Sequence, residues 1–511
     1  MRLCSSLVGN LYGLSCLFHT TFATSGVNAG QNAICASEPK ERTFILTDIG
    51  NEPDDTMSMV RLLVHSDLYD IEGIVAITSF WLPNATNPDM LHDLVDAYEL
   101  VRENLQSHSN SSFPTAKYLH SKIASGPDVY GKQALRALEQ GKNATAGIQM
   151  LIDAVDASDL PLYVQIWGGA NTLASALWTV NRTRSGSERD AFVSKLRVYS
   201  ISDQDDTGPW IRRNFPNLRY IASRHGFNQY PVAAWSGMSS PSVDPGGPDN
   251  DIVSQEWLTA NIQIGSLGKK YPDVVYIMEG DTPALLYHIP NGLGDPEHPE
   301  WGSWGGRYVS NPLDDSVQYS DAVDAVEGQN GELFRTNHAT IWRWRDAFQD
   351  EFAARMQWTL GANSTKPTTH PPIVNVNGSC APKALQLNVQ AGENITLDAS
   401  ATYSPDLNAR LNFTWFQYFE PSSFQSASDT VPVVNITTET ESNSSIAYFR
   451  VPHGQDSRCV AADQVTEYGA WGELSKCPVL HLVLAVKDVG AVHPITRYKR
   501  VVLHVQPYDL D

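Results

Sequence analysis

Short, continuous apolar runs alternate with longer segments whose apolar residues recur every three or four positions, and this alternation continues as far as Leu360. Phe44 to Leu46 leads through a polar loop into a helix-spaced segment from Met57 to Val64. Ile71 to Thr78 is a second continuous run, and Met90 to Leu105 puts Leu91, Leu94, Tyr98, Val101 and Leu105 on one helical face. A strand buried on both faces needs a continuous run, and a helix lying on such a sheet needs a 3.6-residue period. The same reading predicts helices over Ala134–Gly141, Ala146–Ala157, Asn171–Val180 and Ile252–Ile264. It predicts strands over Tyr163–Trp167, Leu196–Ser202, Tyr220–Ala222 and Val274–Met278. The expected fold is α/β, a mainly parallel sheet flanked by helices, over residues 40–360. His338 to Leu360, with Trp342, Phe348, Phe352 and Met356 at helical spacing, reads as a helix that closes the core.

At 361–372 (GANSTKPTTHPP) the chain becomes a Pro/Thr/Ser linker, and beyond it the period changes. Leu385–Val389, Asn394–Leu397, Leu411–Tyr418, Ser445–Val451, Leu480–Val486 and Tyr498–Val505 read as strands separated by turns. A small immunoglobulin-like β-sandwich over 373–511 follows. Asp398 to Tyr418 resembles the strand–loop–strand pattern of immunoglobulin-like and PKD-like modules on secreted glycosidases.

Length and composition add a compartment. A chain of 511 residues exceeds one average domain. Arg2, the mostly apolar run Leu7–Phe18 and small residues before Gly30 read as a signal peptide over 1–29. Its removal takes Cys4 and Cys16 and leaves Cys35, Cys380, Cys459 and Cys477, an even number. Proximity alone favours pairing Cys459 with Cys477 and Cys35 with Cys380. Glycosylation sequons at Asn84, Asn110, Asn143, Asn181, Asn363, Asn377, Asn394, Asn412, Asn435 and Asn443 agree with secretion. No later apolar run is long enough to span a bilayer. The net charge of -21 argues against nucleic acid or an anionic membrane as partner. A neutral ligand such as a carbohydrate fits better, and the oligomeric state is left open.

The loop after the first strand concentrates the chemistry. Asp48, Glu52, Asp54 and Asp55 crowd there, and two unit charges about 4 Å apart at an effective dielectric of 20 repel by roughly 4 kcal/mol. One offset is the start of the following helix, where Asp54 or Asp55 would serve as a cap. The other is a hard divalent cation, calcium above all, which takes carboxylate and carbonyl oxygens. Capping uses one carboxylate; a cation uses several. At a second strand end, Asp203, Asp205 and Asp206 read either as binders of sugar hydroxyls or as a solvated loop with a helix cap. His225, after the strand Tyr220–Ala222, is a candidate acid or a structural histidine. Gly/Pro-rich loops at Gly226–Gly247 and Pro290–Pro312 carry Trp235, Trp301 and Trp304, which read either as groove lining or as packing.

Three strand-end motifs carry a resemblance. TDIGNEPDD, GGANTLASAL and EGDTPALL, from Thr47, Gly168 and Glu279 respectively, resemble signatures of the inosine-uridine nucleoside hydrolase family. The whole chain resembles secreted cellulose-binding proteins that join a nucleoside-hydrolase-like domain to a C-terminal sandwich, and ISDQDDTGPWIRRNFPNLRYI from Ile201 belongs to that second likeness. The resemblance implies calcium held by Asp48, Asp55 and Asp281 with the carbonyl of Asn171. Asp54 would face a sugar hydroxyl and Asp48 would deprotonate the attacking water. No protein nucleophile is needed, so the anomeric configuration would invert.

Three positions depart from the nucleoside hydrolase pattern. Leu46 stands where that family has Asp, the acidic loop is two residues longer, and Gly280 stands where a His helps a purine leave. Leaving-group activation is therefore not carried over. The leading expectation is a secreted, calcium-dependent glycosidase acting on a carbohydrate such as a plant cell-wall glycan. A non-catalytic cellulose-binding or carbohydrate-binding protein is the alternative, and ribonucleoside hydrolysis the second alternative.

Overall fold

A computed structural model describes residue 35 and residues 39–225, 227–239, 247, 250–310, 316–361, 367–380, 382–422, 431–439, 444–452, 459–460, 475–476 and 479–506. The chain divides into Met1–Ala36 and Ser37–Asp511, and all the elements below belong to the second unit. The expected signal peptide lies outside the described residues, as does Cys477. Cys35 and Cys380 are each disulfide-bonded. Among the described residues no helix is long and apolar enough to cross a membrane.

The apolar runs become the strands of one mainly parallel sheet. These are β1 (Glu41–Thr47), β2 (Tyr69–Ala76), β3 (Ile123–Ser125), β4 (Leu162–Ile166), β5 (Leu196–Ser202), β6 (Arg219–Ser223), β7 (Tyr308–Ser310) and β8 (Gln318–Asp321). Their order is β3-β2-β1-β4-β5-β6-β8-β7, and only the edge pair β7 with β8 is antiparallel. β1 lies between β2 and β4, with Leu46 opposite Val75 on one side and Ile166 on the other. The order reverses at β1 and β4, so the loops leaving those two strands part and open a crevice at their carboxyl ends. Helices cover both faces, and two apolar cores divide around the sheet, one containing Ile45 and Trp167, the other Phe44 and Leu46. Alternate residues of β1 thus feed opposite cores, as a strand buried on both faces requires.

Several expected helices are broken. Met90–Leu105 is Pro88–Glu99 followed by Arg102–Gln106, because Val101 leaves the helical region at φ -122°, ψ -6°. Val101 and Leu105 stay buried across the break, so the apolar period continues where the hydrogen-bond ladder does not. Ile252–Ile264 divides into a short 3-10 turn and the helix Gln255–Asn261, and His338–Leu360 into Ala339–Trp342 and Arg345–Trp358.

The expected strand Val274–Met278 does not form. Val275 and Tyr276 point outward, 64% and 76% exposed. Instead of a sheet partner, the Ser239 hydroxyl serves Met278, accepting from its N–H at 2.9 Å and donating to its carbonyl at 3.0 Å. A side chain has satisfied the backbone groups that a ladder would otherwise need.

The C-terminal strands fall where the sequence reading, strands separated by turns, puts them. Leu385–Val389, Arg497–Val505, Val479–Asp488 and Leu411–Tyr418 form one sheet in that order, facing a second of Asn394–Asp398, Ile446–Arg450 and Thr437–Thr438. Leu385–Val389 pairs parallel to Arg497–Val505. Leu397, Phe449, Leu482, Val501 and their neighbours fill the space between the sheets. The outer side of the first sheet packs on the α/β part. Tyr418 donates to Asp324 at 2.6 Å, Arg497 pairs with Glu351 at 2.6 Å, and the Trp304 indole donates to Tyr498 at 3.2 Å. Trp304 is buried there, and Trp301 meets His481 edge-on, so these two tryptophans pack and line no groove.

Candidate active site: a buried carboxylate cluster at the sheet crevice

Asp48 follows β1 at the crevice, and two turns of chain later Pro53 opens the helix Asp54–Val64. Pro53 is the N-cap and no side chain caps this helix, although the Asp54 carboxylate accepts from the N–H of Asp55 at its start. Asp281 sits at the head of the short helix Thr282–Leu286, brought to the same place from the far end of the α/β part. Oxygens of Asp54, Asp55 and Asp281 all lie within 4.8 Å of one another. With Asp48 they make four carboxylates between 2% and 7% exposed.

The charges that act on these groups are mainly each other. Burial pushes Asp48 up to about 6, eased by a hydrogen bond from Ser79. Burial, then Glu52 and Asp48, push Asp54 up to about 7. Asp55 and Asp281 are held well above the carboxylate range, by burial first and by their acidic neighbours second. Thr47 donates to Asp55, while among the described residues the buried Oδ2 of Asp281 has no hydrogen-bond partner. Left alone, such a set must carry protons near neutral pH. A hard divalent cation is the other way to neutralise it, and an all-oxygen, partly unpartnered carboxylate set is the donor chemistry calcium takes.

Two support features explain why the chain crowds here. Gly168 and Gly169 follow β4; a methyl at the first would collide with Asp48 Oδ1, and at the second it would lie 2.6 Å from Asp205 Oδ2. At position 280 an added methyl would lie 2.8 Å from Asp54 Oδ2 and 3.2 Å from the Trp235 ring. Trp235 and Asp54 thus occupy the space a side chain there would need.

The remaining candidates divide between the crevice and its supports. The Trp235 indole donates to Ser202 at 2.9 Å, and the same hydroxyl meets His225 Nε2 at 3.0 Å, so both belong to the wall beside Asp54. Asp205 is buried, pushed up to about 6 by that burial; its Oδ1 accepts from the N–H of Thr207 at 2.8 Å, and its carboxylate also accepts from the backbone N–H of Ala170. Asp203 is taken up by Arg212 in a two-point pair at 2.6 and 2.8 Å. Asp206 accepts from the Lys132 N–H at 2.7 Å and pairs with its ammonium at 3.3 Å. Asn171 begins the helix Asn171–Thr183, and its amide donates to Thr78 and to the Val129 carbonyl, both at 2.8 Å, tying the loops after β2 and β3 to that helix.

Sequence reasoning passed over Ser79, Arg61 and Glu279. Ser79 follows a correctly placed strand, so the strand-end rule that found Asp48 would have found it too. The same rule points to Glu279, which opens an expected strand-end motif, whereas Arg61 lies inside a helix and carries no signal of its own.

The family described as "Cellulose-binding Sde182, nucleoside hydrolase-like domain" matches residues 42–308, and "Cellulose-binding protein Sde0182, C-terminal domain" matches residues 394–505. A nucleoside hydrolase-related hypothetical protein from Saccharophagus degradans, associated with carbohydrate metabolism, is 32% identical. The match covers 92% of this chain and 100% of that one at a TM-score of 0.71. The inosine-uridine preferring nucleoside hydrolase from Bacillus anthracis is 12% identical, with 62% of this chain and 99% of that one covered at a TM-score of 0.32. No curated protein matches the chain.

Proposed function

Because the chain belongs to the family of cellulose-binding proteins with a nucleoside hydrolase-like domain, we propose that it is a secreted, calcium-dependent glycoside hydrolase acting on a carbohydrate such as a plant cell-wall glycan. The observation that carries this reading is the set of four buried carboxylates, with no ion pair among the described residues, at the switch point of the sheet. Asp54, Asp55 and Asp281, whose oxygens lie within 4.8 Å of one another, are the residues to hold the ion; Asp54 then takes the place of the Asp48 and Asn171 ligands that the resemblance implies, and Asp48 stands beside them as the base. When bound, calcium would supply charge compensation and Lewis acidity. Asp48, desolvated and steadied by Ser79, takes the proton of the attacking water. The water oxygen then bonds to the anomeric carbon from the face opposite the leaving oxygen as the bond to that oxygen breaks; the departing oxygen takes its proton from solvent, and the configuration inverts. His225 and Trp235 orient the sugar from the wall, and Asp205, at the end of a neighbouring strand, accepts a hydrogen bond from a sugar hydroxyl.

The same proposal retains a signal peptide over 1–29, an α/β domain over 40–360, a linker over 361–372 and a sandwich over 373–511. The experiment is product release from a panel of plant and fungal polysaccharides, with Asp48→Asn as control. Unaltered turnover in that variant, or full activity in a protein shown to be metal-free, would sink the proposal. A second reading, carbohydrate binding without turnover, is favoured by one observation: position 280 has no room for a leaving-group acid. Binding to cellulose with no product from any polysaccharide would select it.

A further inference from the structure

Resting on that reading of the crevice as a site for a neutral carbohydrate, we propose that Phe80 and Trp81 form a stacking ledge at its mouth. The ledge is a subsite for one pyranose unit of an extended β-linked glucan chain whose next unit reaches Asp48. Both rings are large and apolar, yet Phe80 is 47% and Trp81 39% exposed. They are held firmly. The Ser79 hydroxyl accepts from the N–H of Trp81 and of Leu82, both at 3.0 Å, and the Phe80 N–H donates to the Gln204 carbonyl at 2.7 Å. A surface aromatic fixed by its backbone loses little further freedom when a ligand covers it.

The ledge is continuous with the carboxylates. Phe80 meets Trp81 edge-on at 5.0 Å, Trp81 meets Tyr230 at 6.2 Å, and Tyr230 meets Trp235 at 5.0 Å. Trp235 lies against Gly280, beside Asp54. The Ser79 side chain that fixes the ledge also hydrogen-bonds Asp48. A line of rings therefore runs from solvent to the acidic cluster, and one residue joins its two ends. The chemistry selects the occupant. A net charge of -21 and a carboxylate floor repel anions. An uncharged polyol presents hydroxyl donors to carboxylates and C–H faces to aromatic rings, and a β-linked glucan offers both along one extended chain. This ledge is distinct from Trp301 and Trp304, which the sandwich covers.

The exposed Asn84 sequon lies on the same loop, so the test uses the full chain carrying Asn84→Gln. Cellohexaose is titrated into it by calorimetry. Trp81→Ala is expected to weaken binding about tenfold and Phe80→Ala about threefold, with unchanged melting temperatures, and Trp81→Phe is expected to keep most of the affinity. Equal affinity in the Phe80→Ala/Trp81→Ala double variant, or no cellohexaose binding by the parent, overturns the ledge. Binding that depends on Trp81 in a protein that hydrolyses no glycan keeps the ledge and rejects the hydrolase reading.

Discussion

Arg61 and Glu279 meet in a fully buried two-point ion pair, Nε to Oε2 at 2.5 Å and Nη2 to Oε1 at 3.1 Å. Arg61 lies on the helix that begins with Asp54 and Asp55, and Glu279 stands two residues before Asp281. Glu279 adopts φ 56°, a left-handed conformation that non-glycine residues avoid. Tyr271 and Thr282 also donate to its carboxylate, each at 2.8 Å. The pair is thus a clamp that sets the two halves of the carboxylate cluster against each other, and the strain at Glu279 is held by three partners.

Removing one side of this clamp leaves a buried charge unpaired, which costs about 3–5 kcal/mol. Arg61→Ala and Glu279→Gln are each expected to lower the unfolding free energy by that order in denaturant titrations. A loss below about 1 kcal/mol in both would show that the pair does not hold the fold.

The cluster makes stability depend on pH. Asp48 and Asp54, raised to about 6 and about 7, bind more protons folded than unfolded. Without metal, stability therefore falls as pH rises from the ordinary carboxylate value through those values, and the full penalty is present above them. In EDTA the melting temperature should be higher near about pH 5 than near about pH 8. Calcium at about a hundred times its dissociation constant should then add about 2.7 kcal/mol, and at one fixed calcium concentration the larger shift should fall at the higher pH, where fewer protons compete for the carboxylates. A melting temperature in EDTA that rises across this range contradicts the sign.

If Asp48 is the base, Asp48→Asn should cost roughly 10²–10⁴-fold in turnover, as removal of a general base does. The calcium-induced rise in melting temperature should survive, since Asp54, Asp55 and Asp281 remain. Loss of that rise together with turnover would instead assign Asp48 to the ion.

Gly280→Ala should destabilise by about 1–3 kcal/mol, because its methyl meets Asp54 and the Trp235 ring. Trp235→Ala in the same chain should recover part of that loss, a coupling that a double-mutant cycle measures. Strict additivity would mean the crowding is relieved elsewhere.

The sandwich is also structural for the α/β part. A chain ending at residue 372 would expose Trp304 and Trp344 and strand Asp324 and Glu351 without Tyr418 and Arg497. It is expected to unfold at lower denaturant concentration than the full chain, and equal stability would contradict the packed interface.

The sequence by itself determined the α/β order, the sandwich strands and the concentration of acid at the first strand end. Those features rest on local periods and on the rule that ligands gather at strand ends. Tertiary structure decided the rest. The period of Met90–Leu105 survives a helix break because burial and the hydrogen-bond ladder are separate constraints. Val274–Met278 reads as a strand, but the Ser239 hydroxyl takes the backbone groups of Met278 and Gln255 accepts from the N–H of Val274, contacts that the segment's own pattern does not encode. Asp203 and Asp205, two residues apart and alike in sequence, part company because Arg212 lies within reach of one only. Asp54, Asp55 and Asp281 share one place because a buried Arg61 reaches Glu279 across more than two hundred residues, and no local pattern encodes that distance.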